Sequence, residues 1–207
     1  MKIQTLIVLV GLSLASCSSL RYGDPEAQET VSREFGSTDL QSFASGMVDS
    51  LIRAPQLSYL DHSSKGDDKR VIVYMGGVRN RTSEHIDTSG ITDSIRVALL
   101  KSGKFRFVAT DQGQDEVGDQ VRFQQDSGRV DPAQARAFGK QVGADVVLLG
   151  TLRSIEKSRG RSFETGGVRT DDVYYQFVLE CVNIETGEVI WLEEEELRKT
   201  EKTGIFG

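Results

Sequence analysis

The last third of the chain alternates apolar and polar side chains over long stretches, and this constrains the fold more than any other feature. Ala144-Asp145-Val146-Val147-Leu148-Leu149-Gly150-Thr151-Leu152 reads as the start of a central strand. Residues 145–158, 172–184 and 188–199 then read as three long strands of an antiparallel meander, with Glu185-Thr186-Gly187 as a short turn. Tyr175 and Trp191 are the expected aromatic fillers of that sheet. Cys181 sits in the run Phe177-Val178-Leu179-Glu180-Cys181-Val182, where a small thiol is expected to be buried and inert.

Upstream, strands and helices alternate. Leu40, Phe43, Ala44, Met47, Val48 and Leu51 recur at helical spacing over residues 38–53, with Ser37 or Thr38 as cap and Pro55 as stop. Val71-Ile72-Val73-Tyr74-Met75 suits a buried strand that Gly76-Gly77 is expected to end. A polar loop from Arg79 to His85 follows. Asp87 or Thr88 then caps a helix whose inner face is Ile91, Ile95, Ala98 and Leu99, with Gly103 at its end. Phe105-Arg106-Phe107-Val108 alternates as an edge strand does. Residues 112–128 are polar and weakly helical, anchored by Val117, Val121 and Phe123. Asp131-Pro132 opens a further helix that Gly143 closes. The strand at 71 and the strand at 145 should run parallel, because helical crossovers separate them. The expected fold class is α/β: one sandwich-like domain over residues 37–207, its mixed sheet covered by helices and ending in a three-strand antiparallel meander.

The other end of the chain speaks to location. One basic residue, Lys2, precedes an apolar run from Ile7 to Leu14, and Leu14-Ala15-Ser16-Cys17 closes it, the layout of a secretory signal. A signal that stops at small residues before a cysteine resembles the bacterial lipobox, in which the cysteine is acylated and the chain is cut before it. Residues 1–16 are therefore expected to be a signal peptide and Cys17 the lipidated residue, with a short flexible tether to residue 36. Ser18, where a retention signal would place Asp, favours the outer membrane by resemblance to the sorting rule. Cleavage leaves 191 of 207 residues and removes Lys2, so the formal charge moves from −6 to −7. An acidic chain without a basic stripe is a poor nucleic-acid binder, and no nucleic-acid partner is expected.

The residues offer little for catalysis. The two histidines, His62 and His85, lie in polar loops, and no metal-ligand, nucleophile-elbow or phosphate-loop pattern occurs. Gly76-Gly77-Val78 stands too far from the following helix to cradle a phosphate. Glu193-Glu194-Glu195-Glu196 falls on a strand, where alternate residues face opposite sides, so a charged and solvated edge is the expected role. No catalytic residue, metal or cofactor is expected. The better candidates are contact residues: Arg79, Asn80, Arg81 and Thr82 in the first loop, and Arg159, Arg161, Phe163 and Arg169 in the polar hairpin from Glu156 to Asp172.

The lipobox at Cys17 and the segment Val71-Ile72-Val73-Tyr74-Met75-Gly76-Gly77-Val78-Arg79-Asn80-Arg81-Thr82 combine with three later blocks. These are Ile91 to Phe107, Asp131-Pro132-Ala133 to Gly150-Thr151-Leu152, and Asn183 through Trp191. Together they resemble the LpoB family of outer-membrane lipoproteins over roughly residues 38–200. The resemblance implies a non-catalytic regulator of peptidoglycan synthesis. Anchored through Cys17 and facing the periplasm, it would dock as a monomer on an accessory domain of a bifunctional penicillin-binding protein. An envelope assembly or secretion lipoprotein related in fold to curli secretion components is the alternative. Against that stands the hairpin at 155–174, which is short, charged and Gly-rich, without the lipid-facing alternation of a membrane barrel. A wall-polymer hydrolase would need a paired acid and base, and no spacing singles out two carboxylates.

Overall fold

The computed structural model describes residues 24–25, 27–29, 31–61, 63–129, 131, 143–162 and 166–204. The helix expected from Asp131-Pro132, together with His62, Phe163 and the N-terminal segment that holds Cys17, lies outside them. The described elements run α1 (Ser37–Arg53), β1 (Val71–Arg81), α2 (Ser89–Lys101), β2 (Phe105–Phe107), α3 (Asp111–Asp126), β3 (Val146–Arg159), β4 (Arg169–Asn183) and β5 (Val189–Thr203), with short 3-10 turns at Pro55–Tyr59 and Ser63–Lys65. The strands form one sheet in the order β2-β1-β3-β4-β5. β1 is parallel to both β2 and β3, and the last three strands are antiparallel. This is the α/β class with a mixed sheet and terminal meander that the sequence pattern predicts.

The core lies between one face of the sheet and the two amphipathic helices. Met47, Leu51, Ile91, Ile95 and Leu99 from α1 and α2 are each at most 1% exposed. Burying each such side chain contributes roughly 1.5–3 kcal/mol. They cover Val73, Leu148, Leu152, Phe177 and Leu179 of the sheet, and the Phe43 ring stacks on Phe177 at 5.8 Å. Cys181 is fully enclosed among them, and burial pushes its thiol up to about 12, so it carries no nucleophile at neutral pH. Among the described residues, α1 and α2 both pack on this single face. Of the three anchors expected in α3, only Val121 is buried, while Val117 and Phe123 are exposed by 49% and 43%.

Two expectations need correction. The cap of α1 is Gly36, ahead of Ser37 and Thr38, and the Asp39 carboxylate accepts from the Gly36 N–H at 2.8 Å. More consequentially, Gly76-Gly77 does not end β1. Met75 pairs with Leu148 and Val78 with Gly150, so one extra residue bulges out and the strand runs on to Arg81. Gly77 takes up the bulge at φ +87°, a left-handed conformation open to glycine. Arg79, Asn80 and Arg81, expected in a loop, are strand residues, because β3 offers them backbone partners past the bulge.

The bulge also decides which way these side chains face. Without it, strict alternation from Met75 would aim Arg79 and Arg81 into the helix-covered face. With it, Val78 takes the inward position and the two arginines register beside Thr151 and Arg153 on the opposite face.

β3 and β1 approach closely at Gly150, where a Cβ would lie 2.6 Å from the Val78 Cγ2 and 3.1 Å from the Phe177 Cε2. Gly150→Val is therefore expected to destabilise the fold by about 1–3 kcal/mol through overpacking. Gly160→Ala, in open space, should stay within about 0.5 kcal/mol. Denaturant unfolding of the two variants checks the contrast.

Candidate functional site

The two stretches expected to make contacts lie toward the same end of the sheet, the second farther along β3 than the first. β1 ends at Arg81, whose register partner is Arg153 on β3. The segment after β1 bends onto β3 as well: the Ser83 N–H donates to the Ser154 hydroxyl at 3.4 Å, and the Ser83 hydroxyl donates to the Glu156 carboxylate. β3 then continues to Arg159 and the hairpin that leads to Arg169.

Within the first stretch the four residues divide into two roles. Asn80 and Thr82 build the turn. The Asn80 side-chain amide donates to the Glu84 carbonyl at 2.9 Å and the Ile86 carbonyl at 3.3 Å, and its Oδ1 accepts from the Thr82 N–H at 2.9 Å and the Thr82 hydroxyl at 2.7 Å. Such Asn-centred bonding imitates backbone pairing and fixes a short polar turn. The Thr88 hydroxyl then ties the start of α2 to the Val78 carbonyl at 2.7 Å. Arg79 and Arg81 take no part in this. Both are exposed, and among the described residues neither guanidinium has a hydrogen-bond or ion-pair partner. Their donors stay open to an outside acceptor.

Arg153 extends the same basic surface, and its guanidinium reaches the Gln176 Oε1 at 3.4 Å. The Gln176 amide in turn donates to Glu194 at 2.7 Å, and Tyr174 donates to Glu196. The outer face thus grades from arginines on β1 and β3 to carboxylates on β5. Glu193 faces the other way, where it accepts from Ser50 of α1, and Glu195 lies against Gly46. This division of the acidic run agrees with alternation on an edge strand. Among the described residues no three or more His, Cys, Asp or Glu side chains gather as a metal site would require.

The hairpin residues are less free. Arg161 donates to the Gly204 carbonyl at 2.7 Å, and Arg169 grips Asp171 through two contacts of 2.7 and 3.1 Å. Asp171 is only 4% exposed. The Ser158 hydroxyl and the Arg169 guanidinium hold its carboxyl below the usual range. Arg159 is exposed and unpaired among the described residues. Arg33, Arg161 and Arg169 line an open groove of about 650 Å³ with Asp171 and Glu201 on its walls.

Sequence reasoning missed Arg153 and Arg33, and it missed Glu84 and Tyr175 as a pair. Alternation along 145–158 would have put Arg153 on the face opposite Leu152, but only the bulge in β1 sets Arg81 beside it. Tyr175 donates to the Glu84 carboxylate across 91 positions of sequence, a contact that no local pattern announces. Burial and that carboxylate raise the Tyr175 hydroxyl above the ordinary phenol range, so it stays a donor at any physiological pH.

The family model described as the peptidoglycan-synthase activator LpoB matches residues 39–197, which includes all of the sheet but the end of β5 and both arginine stretches. No curated relative matches the sequence. Among solved structures, the LpoB C-terminal domain from Escherichia coli is 17% identical, covering 77% of this chain and 98% of that one at a TM-score of 0.43. The LpoB C-terminal domain from Salmonella enterica is 19% identical, covering 76% and 94% at a TM-score of 0.37. Lipoprotein GNA1162 from Neisseria meningitidis is 15% identical, covering 63% and 83% at a TM-score of 0.36. With the match spanning most of its length, this chain belongs to the LpoB family of peptidoglycan-synthase activators.

Proposed function

We propose that this protein is an outer-membrane-anchored regulator, without catalysis of its own, that binds and stimulates a bifunctional penicillin-binding protein. Family membership over residues 39–197 carries the reading. The free guanidinium groups of Arg79 and Arg81 supply the local chemistry. A guanidinium with no internal partner keeps its planar fork for a carboxylate or carbonyl of another protein. Docking centres on Arg79, Arg81 and Arg153, with Asn80 and Thr82 holding the backbone beneath them. Arg159, Arg161, Phe163 and Arg169 of the hairpin after β3 are the secondary contact candidates. A partner that binds the active conformation of the synthase more tightly than the inactive one raises the active population, and stimulation needs nothing more.

The anchor is Cys17. Each buried CH₂ of its acyl chains contributes about 0.8 kcal/mol, so several chains hold the protein on the membrane almost permanently. Ser18 directs it to the outer membrane, from which the domain faces the periplasm. Cys17→Ala is expected to leave an uncut, unacylated chain. Mass analysis of membrane fractions reads this directly, and an unmodified thiol at position 17 in the native protein would overturn the anchor.

The central test mixes the chain from Ser18 onward with purified bifunctional synthases and measures capture and glycan polymerisation. The reading expects capture and stimulation at micromolar protein, and neither effect at that concentration would sink it. Arg79→Glu with Arg81→Glu should weaken capture on the order of tenfold or more, with a reduced salt dependence, as is usual for charged contacts across an interface. The thermal unfolding of that double variant should match the parent, because neither side chain has a partner among the described residues.

A further inference from the structure

We propose that Glu29 and residues 31–36 form a strap that the free domain holds closed and that docking at the Arg79–Arg81 end releases, so that the tether has two working lengths. The proposal rests on the anchoring at Cys17 argued above.

Three parts of the fold grip this stretch. At its start, the Glu29 carboxylate sits over the first turn of α1. It accepts from the Thr38 N–H at 3.2 Å and the Ser37 hydroxyl at 3.0 Å, while the Glu29 N–H donates to the Thr38 hydroxyl at 3.2 Å. Hydrogen bonds from the Thr38 and Ser37 backbone N–H groups at the start of the helix hold the Glu29 carboxyl below its usual range. Farther along, the Lys199 ammonium of β5 donates to the Glu34 carbonyl at 2.6 Å. The Arg33 carbonyl lies 3.2 Å from the Tyr175 hydroxyl of β4. At its end, the Phe35 N–H donates to Glu84 at 3.0 Å, and the Phe35 ring packs on Tyr175 at 5.4 Å and on Phe43 at 5.9 Å. Only the Phe35 end enters the core. Most of the other bonds are exposed or half-buried, where each adds little net free energy against the entropy of ordering the chain. Such a segment opens without unfolding the rest.

Glu84 couples the strap to the proposed docking site. One carboxylate oxygen holds Phe35 and the other accepts from Tyr175, while the Glu84 carbonyl accepts from Asn80 and Thr82. A partner that moves the turn after Arg81 withdraws the acceptor from the strap. Extended chain from Cys17 reaches ~40 Å to Glu29 but ~65 Å to Gly36. Release therefore lengthens the leash by more than half when the domain needs to reach a distant partner, and by linkage a closed strap opposes docking.

Hydrogen exchange by mass spectrometry on the full chain in mild detergent tests this, comparing the parent with Phe35→Ala and Glu29→Ala. Peptides covering Phe35 and Gly36 should exchange at least tenfold more slowly than unstructured chain in the parent. They should approach the unstructured rate in Phe35→Ala and accelerate severalfold in Glu29→Ala, with β4 unchanged. Unprotected exchange in the parent, or no change in either variant, overturns the strap. Should Phe35→Ala also loosen β4, the exposed Glu29→Ala site decides by the same criterion. Saturating synthase should accelerate the strap peptides, and unchanged protection on proven binding overturns the coupling. The first comparison needs neither lipid nor synthase, so its failure is separate from that of the proposed function.

Discussion

β4 is the strand on which the other parts converge. Its inward residues Val173, Tyr175, Phe177, Leu179 and Cys181 are each at most 1% exposed, an unbroken apolar row flanked on both sides by long antiparallel partners. The row sets the height of α1, whose Phe43 stacks on Phe177, and it seats Trp191 of β5 beside Cys181. A one-residue slip of β4 would turn five core side chains to the opposite face at once, so the register is strongly specified. Tyr175 is the member of the row with a polar end, and that end holds Glu84 and the approach to α1 in place.

The bulge in β1 works against this rigid background. By adding one residue between Met75 and Val78, it changes the face of everything beyond it. Val78 fills the space that Gly150 leaves open, and Arg79 and Arg81 emerge beside Arg153. A chain of net charge −6 therefore presents a local basic surface at one end of its sheet. An acidic protein repels acidic partners at long range, yet such a patch still orients them at close range. The same end carries the turn built by Asn80 and Thr82. Open guanidinium groups and turn-building side chains thus alternate along four residues.

Much of this was legible locally. Apolar spacing identified α1, α2 and the three strands of the meander, because a helix or strand must bury one face and writes that need into its period. The parallel pairing of β1 with β3 followed from the crossover length. The course of β1 past Gly76-Gly77 was not legible, since two glycines read as a break until a neighbouring strand supplies hydrogen-bond partners. The docking of Glu29 and residues 33–36 was hidden for a related reason. Its composition is polar, and its partners Glu84, Tyr175 and Lys199 are distant in sequence.

What the sequence determined by itself, then, was the inventory: where most helices and strands lie, the α/β class, and which polar stretches hold the arginines. These depend on neighbours within a few residues, where propensity and periodicity act. The tertiary structure decided facing and adjacency: which arginines share a surface with Arg153, which are already engaged, and which carboxylate holds Phe35. Those outcomes depend on strand register and on contacts between residues far apart in the chain, and a single bulged residue is enough to reverse them.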